Sequence, residues 1–354
     1  MKLEDLRNKI DNLDNQILDL LNQRMEVVKQ VGELKRSTNS IIYRPEREKS
    51  IIDRLDGQNN GLLTNAAIEA IFLEIFAVSR NLELPERIAF LGPEGSFTHQ
   101  AAESRFGAMS DYIPLNTIKS VFDSVETERA RFGVVPIENN QEGSVHETID
   151  LLGIRDVKIV AEIPLFIHFS FGSKEDSLSK IKKVYSKDIA FRQCRNFIEE
   201  YLPKDVTLVE VASTSKAAKL ALENENSAAI CSHIATKLYD LPVLFENIED
   251  SKSNRTRFLI ISKNIVNQKG VNDKTSILLK TSDNPGALAN FLKEFQLAGI
   301  NLTKLESRPA RDGETFKYWF LIDFDGHFKD ENVQKIFNAH EENIRFLGSY
   351  VKLC

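Results

Sequence analysis

At 354 residues the chain is too long for one comfortable core, so two or three domains are expected. Its composition, 42% hydrophobic and 28% charged, is that of an ordinary globular protein. A net charge of -6, with Lys and Arg spread throughout, argues against nucleic-acid binding or a broad anionic-membrane surface, leaving only local cationic pockets.

Cys194, Cys231 and Cys354 form no metal-like spacing, and their odd number fits buried thiols in a reducing compartment. No apolar run reaches about 18 residues, so a membrane span is not expected and a cytoplasmic location is.

Residues 3–83 read as helices. Leu3, Leu6, Ile10, Leu13, Ile17, Leu20 and Leu21 recur at three- and four-residue steps, and Val27, Val28, Val31 and Leu34 continue the series. With no proline before Pro45, the first helix should pass 30 residues and reach about 50 Å. A single short globule cannot cover such a helix, which points to a bundle or a partner chain. "YRPERE" opens a second helix, with Pro45 near its first turn, and "GLLTNAAIEAIFLEIFAVSRNLE" supplies a third.

On the first helix, Arg24 and Lys35 lie about 20° off the same face and could line one groove for a small anion. Arg7 is roughly 25 Å from Arg24 along the helix and about 100° around it. If Arg7 serves the same chemistry, it must enter the site of an antiparallel neighbour.

From residue 86 strands alternate with helices, which predicts a largely parallel sheet with ligand groups at the strand ends. Polar clusters stand at four such ends: "GPEGSFTHQAA", "VPIENNQEG", "VASTSKAA" and "SNRTRF". There is no GxGxxG, so no dinucleotide is expected. The polar run "NIVNQKGVND" reads as a linker. Beyond it the pattern is a compact βαββαβ module.

"LRNKIDNLDNQILDLLNQR", "VGELK" and "YRPERE" resemble the AroQ-type chorismate mutases, which are intertwined all-helical dimers. The resemblance implies that Arg7 reaches the partner's site and that Arg24 binds the other substrate carboxylate. Lys35 would contact the breaking ether oxygen, Arg47 would lie nearby, and Glu48 would accept from the ring hydroxyl. Glu83, one turn after Ser79, stands where relatives often carry a Gln that donates to the ether oxygen. A Glu can donate there only when protonated. Arg44 replaces an acid found in some relatives.

Residues 87–262 resemble prephenate dehydratase, a two-lobed α/β enzyme. The resemblance ties Thr256 of "TRF" most closely to catalysis. It places Ser96, Thr98, Glu138, Asn139, Ser213 and Thr214 around the pocket, with Phe258 shaping it. Asn140 stands where many members have Ser. In "SKDIAFRQC", Lys187, Asp188 and Ile189 replace the usual His, Pro and Gln, and Gln193 is kept as a candidate.

"NPGALANFL" and "ESRPARDG" resemble the ligand segments of an ACT regulatory domain of ferredoxin-like, α+β fold. Gly286, Ala287 and Leu288, with Glu306, Ser307, Arg308 and Pro309, would bind phenylalanine between paired modules.

The resulting expectation is three domains: an all-α mutase at 1–84, a two-lobed α/β dehydratase at 86–262 and a regulatory module at 273–354. The substrates implied are chorismate and prephenate, with no cofactor or metal. A homodimer, or an assembly of dimers, is implied as well. Two alternatives stand beside it: a dehydratase whose helices serve to dimerise, and a non-catalytic amino-acid-binding regulator. The set Arg7, Arg24, Lys35, Arg47 and Glu48 argues against the first, and Thr256 among the strand-end clusters argues against the second.

Overall fold

The computed structural model describes residues 2–37, 45–83, 87–282, 284–309 and 318–352. Arg44, Cys354 and the end of "ESRPARDG" lie outside the described residues. The chain divides into two compact units, one built on the first three helices and one holding Arg87–Arg105 and the chain from Tyr112 onward.

In the first unit, helix Leu3–Ser37 runs unbroken for 35 residues, with Glu4 and Asp5 in its first turn where the helix dipole favours acids. Helix Pro45–Gln58 starts on the proline whose fixed φ suits a first turn. Helix Asn65–Glu83 is capped by Thr64, whose Oγ1 accepts from the Ala67 N–H at 3.2 Å. It buries Ile68, Phe76, Ala77, Ser79, Arg80 and Glu83. On the first helix, by contrast, Leu3, Leu6, Ile10, Leu13, Ile17, Leu20, Val27, Val31 and Leu34 all remain exposed.

The second unit carries three sheets. The first runs in the order Asp111–Leu115, Arg87–Leu91, Phe132–Asn139, Arg255–Ser262, Lys158–Phe166, with Gly143–Ser144 paired to Phe132–Asn139. The second runs Val243–Phe245, Phe169–Ser173, Ser227–Ser232, Lys183–Ser186, Thr207–Glu210. Neither is largely parallel, contrary to the sequence expectation. Arg255–Ser262 is antiparallel to both its neighbours, as Phe169–Ser173 is to Ser227–Ser232. The reason is connectivity. The chain leaves the first lobe along Lys158–Phe166 and returns along Arg255–Ser262, so the outgoing and incoming strands pair side by side. Glu249 fastens the crossing, one oxygen 2.6 Å from His168 Nδ1 and the other accepting from the Phe169 N–H at 2.9 Å.

The third sheet, Leu302–Pro309, Tyr318–Asp325, Asp273–Lys280, Ile344–Val351, is antiparallel throughout. With helices Ala287–Leu297 and Glu331–Ala339 it follows the order strand, helix, strand, strand, helix, strand. One face buries Ile277, Leu279, Ile322 and Phe324 against Phe291 and Phe295 of the first of these helices. The other packs Leu278, Leu321, Leu347 and Tyr350 against Ile159, Leu259 and Ile261 of the first lobe's sheet. Gly348 permits the approach: a Cβ there would lie 2.1 Å from the Ile159 carbonyl oxygen.

The run that composition reads as a linker is packed. Ile265 and Asn267 are buried, and Asn267 Nδ2 donates to the Val160 carbonyl at 2.5 Å. Cys194 and Cys231 are buried free thiols, and burial pushes the Cys231 thiol up to about 12, which keeps it protonated and inert. Among the described residues, no helix is long and apolar enough to cross a membrane.

Candidate active sites

In the helical unit the first helix turns Arg24 and Lys35 toward the third. Arg24 Nη1 donates to Ser79 Oγ at 2.5 Å, while that hydroxyl donates to the Ile75 carbonyl at 2.6 Å. The guanidinium also lies 5.9 Å from the centroid of the Phe76 ring. Burial lowers the Arg24 pKa and nearby Glu83 opposes that shift. Lys35 Nζ donates to Glu83 Oε2 at 2.8 Å, so Glu83 here accepts. Gly32 allows this contact to be close, since a Cβ at that position would sit 3.2 Å from Glu83 Cα. Glu48 pairs with Arg80 of the third helix. Arg47 is exposed on the second helix, and Arg7 is exposed near the start of the first.

In the α/β lobes, Thr256 and Asn139 are direct cross-strand partners. The orientation of the Asn139 amide is fixed by the backbone. Its Oδ1 accepts from the N–H groups of Gln141 and Glu142 at 2.8 and 3.0 Å, and an N–H can only donate. Nδ2 therefore faces Thr256 Oγ1 at 2.8 Å and Asn254 Oδ1 at 2.9 Å. Asn254 Nδ2 in turn donates to Gln193 Oε1, and Gln193 Nε2 to Gln141 Oε1, both at 3.1 Å. The Thr256 oxygen is thus an acceptor within the chain of amides, and its proton is free to point elsewhere.

The remaining predicted residues shape the loops. Ser96 Oγ donates to the Leu91 carbonyl and accepts from the His99 N–H, both at 3.2 Å. His99 Nδ1 accepts from the Gly95 N–H at 3.1 Å; burial lowers its pKa against the pull of Glu103 and Glu94, which suits an acceptor nitrogen. Ser213 caps helix Thr214–Glu223, accepting from the Lys216 N–H at 3.0 Å. Thr98, Thr214 and Phe258 are buried. Among the described residues no hydrogen bond joins Ser96, Thr98, Ser213 or Thr214 to Thr256. Glu138 is not brought into the Thr256 network either. It pairs across the strands with Arg257, on the opposite face of the sheet, and meets Lys304 of the third sheet.

Two family models match the chain: chorismate mutase type II over residues 6–84 and prephenate dehydratase over 88–266. A bifunctional chorismate mutase/prephenate dehydratase from Aquifex aeolicus is 43% identical, over 99% of this chain and 98% of that protein. The chain belongs to the bifunctional chorismate mutase/prephenate dehydratase family. A Pseudomonas aeruginosa protein of the same description is 39% identical over 88% of this chain and 86% of its own length. The crystal structure of a prephenate dehydratase from Arthrobacter aurescens in complex with L-Phe is 32% identical, with a TM-score of 0.68. It covers 75% of this chain and 90% of that one. This is a two-activity enzyme of phenylalanine biosynthesis.

Sequence reasoning missed several groups of the mutase and dehydratase parts. Arg80 is buried beside Glu48, although its neighbour Ser79 in "AVSRNLE" was singled out. Asn254, 2% exposed, belongs to the strand-end cluster "SNRTRF" that the sequence marks, but its place in the amide chain from Asn139 to Gln193 is not read there. Ser215 and Ser232 donate to the carbonyls of Glu94 and Gly95, fastening the "GPEGSFT" loop to the second lobe. Ser215 and Asn254 lay inside quoted motifs, but the direction of a side chain is not written in a motif.

In the third sheet, Glu306 and Arg308 face the dehydratase lobe, where Ser144 donates to Glu306 at 2.5 Å and Arg308 pairs with Asp150 at 2.9 Å. Ser307 and Pro309 are exposed. Gly286, in a left-handed conformation at φ 83°, precedes helix Ala287–Leu297 and lends it no side-chain cap. Among the described residues no hydrogen bond or ion pair joins Gly286, Ala287 or Leu288 to Glu306–Pro309.

Proposed function

We propose that Thr256 is the proton donor to the departing ring hydroxyl of prephenate, held in place by Asn139. The observation that carries this reading is the backbone-anchored Asn139 amide, which donates to Thr256 Oγ1 and so leaves the Thr256 proton free for another acceptor. Prephenate loses its ring carboxylate as carbon dioxide and its hydroxyl as water, and the ring becomes aromatic phenylpyruvate. A free Thr is too weak an acid to act alone, so an accepted hydrogen bond and a fixed orientation matter more than its acidity. Ser96, Thr98, Ser213 and Thr214, at the loops that close on the cleft, line the rest of the pocket. Replacing Thr256 with Val keeps the shape and removes the hydroxyl. Dehydratase turnover is expected to fall about a hundredfold or more, with mutase turnover of the same chain unchanged. Steady-state assays on prephenate and on chorismate check both halves, and a fully active Val variant would reject the assignment.

For the mutase, the reading is a homodimer with shared sites. Positions 3, 6, 10, 13, 17, 20, 27, 31 and 34 of the first helix form an exposed apolar seam with a period of about 3.5 residues, the repeat that seats a second helix. Arg24 falls in the same series and so stands where a partner helix would pass. A pericyclic rearrangement needs no nucleophile, only a dianion held in its reactive conformer and donors aimed at developing charge. Arg24 and the partner's Arg7 supply the carboxylate holds, Lys35 the donor to the ether oxygen, and Glu48 with Arg47 the ring end. Mixing an Arg7→Ala chain with an Arg24→Ala chain should restore mutase activity, since one hybrid site carries both arginines. No rescue in verified mixed dimers would rule out sharing.

Glu83 joins Lys35 at the ether oxygen only in its protonated form; ionised, it accepts from Lys35 and repels the growing charge. Glu83→Gln supplies a neutral donor of the same size, so mutase turnover of the Gln variant should be at least that of the parent, with dehydratase turnover unchanged. A Gln variant whose mutase turnover falls would reject Glu83 as the donor.

The C-terminal module reads as an ACT-type sensor that binds phenylalanine between paired modules. The uncapped start of helix Ala287–Leu297 offers N–H groups to a carboxylate, and the two motif segments are not joined within one chain. Inhibition requires that phenylalanine bind one conformation better than the other. Deleting the module is a poor test, because it would uncover Leu259, Ile261 and Glu162 of the dehydratase sheet. Ala287→Val, which fills the helix start, should instead weaken phenylalanine inhibition of the dehydratase at least tenfold in inhibitor concentration while turnover persists. Unchanged inhibition curves would reject the site.

A further inference from the structure

Arg257 follows Thr256 on the same strand and so projects from the opposite face of the sheet. There its side chain, 15% exposed, meets three carboxylates. Nη1 lies 2.8 Å from Asp323 Oδ2 and 3.2 Å from Glu162 Oε2, and Nε lies 3.4 Å from Glu138 Oε1. Each of the three is held by the C-terminal module. Asp323 belongs to it and accepts from Ser276 Oγ at 2.7 Å, which is itself 2.9 Å from the Tyr350 hydroxyl. Glu162 accepts from Lys274 Nζ at 3.0 and 2.9 Å. Glu138 is paired with Lys304, which lies 3.1 Å from Glu306.

The clamp stands directly behind the reacting groups. Thr256 pairs with Asn139 and Arg257 pairs with Glu138, so adjacent rungs of one ladder carry the cleft groups on one face and the clamp on the other. The next step of that ladder is irregular, the register shifting between Arg257 and Phe258. A bulge loosens pairing locally, so strand position at this step depends on what holds the side chains.

We propose that Arg257 is a positioning residue of the dehydratase, through which the C-terminal module fixes the Thr256–Asn139 pair in its reactive register. The inference rests on the reading of Thr256 as the proton donor. It assigns a task to the module beyond sensing: the module completes the rear wall of the catalytic strand.

The test uses the full chain and three variants: Arg257→Lys, Asp323→Asn and the two combined. Lys keeps the charge but loses the fork that reaches several carboxylates at once. Dehydratase kcat should fall about tenfold or more in each single variant, as small displacements of reacting groups cost. The KM for prephenate should move less than about threefold, and mutase turnover should not change. The combined variant should be no slower than the slower single one, because both cut the same link. Fluorescence of the only tryptophan, Trp319, checks that the module still docks; if Arg257→Lys fails that check, the near-isosteric Asp323→Asn variant decides. Parental kcat in a docked variant, a change in KM alone, or losses that multiply in the combined variant would overturn the proposal. Thr256→Val separates the two readings. If it is inactive while Arg257→Lys and Asp323→Asn keep parental kcat, the clamp alone fails; if it is active, the reading of the cleft fails first.

Discussion

A guanidinium buried between two sheets must be met by carboxylates from both, and that demand organises the second unit. Leaving a buried charge without its partner typically costs about 3–5 kcal/mol, so Arg257, Glu162, Asp323 and Lys274 are worth keeping only as a set. Burial by itself would lower the Arg257 pKa; Asp323, with Tyr350, Glu138 and Glu162, more than reverses this and raises it. Around this cluster the apolar faces of the two sheets close, with Leu278, Leu321 and Leu347 on Ile159, Leu259 and Ile261. Charge fixes the register and the apolar surface supplies the adhesion. Gly348 belongs to the same constraint, since a side chain there would hold the sheets apart.

The two catalytic parts answer different chemical demands. The mutase has no bond to attack and places cations within helical surfaces: Arg24 in the series of an apolar seam, Lys35 beside Glu83. The proposed proton donor of the dehydratase is a weak acid, and Thr256 is met by neutral amides whose direction is set by backbone N–H groups at Gln141 and Glu142. Such a chain cannot be reversed by a change of protonation, because amides do not titrate near neutral pH.

Much of this was legible in the residues. The three- and four-residue steps from Leu3 to Leu34 gave a helix of the length found, and the exposed seam follows from the same steps. The strand-end clusters marked Asn139 and Thr256, which the fold brings into direct contact. Gln193, kept in spite of an unusual neighbourhood, joins them through Asn254. Other features were not legible. The sheets are mixed rather than largely parallel, because the return of the chain from the second lobe sets the direction of Arg255–Ser262. Glu138 sits in the same motif as Asn139 yet faces the other way, since neighbouring residues of a strand point to opposite faces. "NIVNQKGVND" looks like a linker by composition, but Asn267 finds the Val160 carbonyl.

The sequence by itself determined the helical period, the polar strand ends and the spacing of the cationic residues on the first helix, because these follow from chemistry within a few neighbouring residues. It also determined family membership through motifs that stand as written. Only the tertiary structure decided which face each motif residue occupies, how the Asn139 amide is turned, and that Arg257 meets Asp323, 66 positions further along the sequence. Those outcomes depend on long-range pairing, where a buried charge or amide must find its complement wherever the chain happens to bring one.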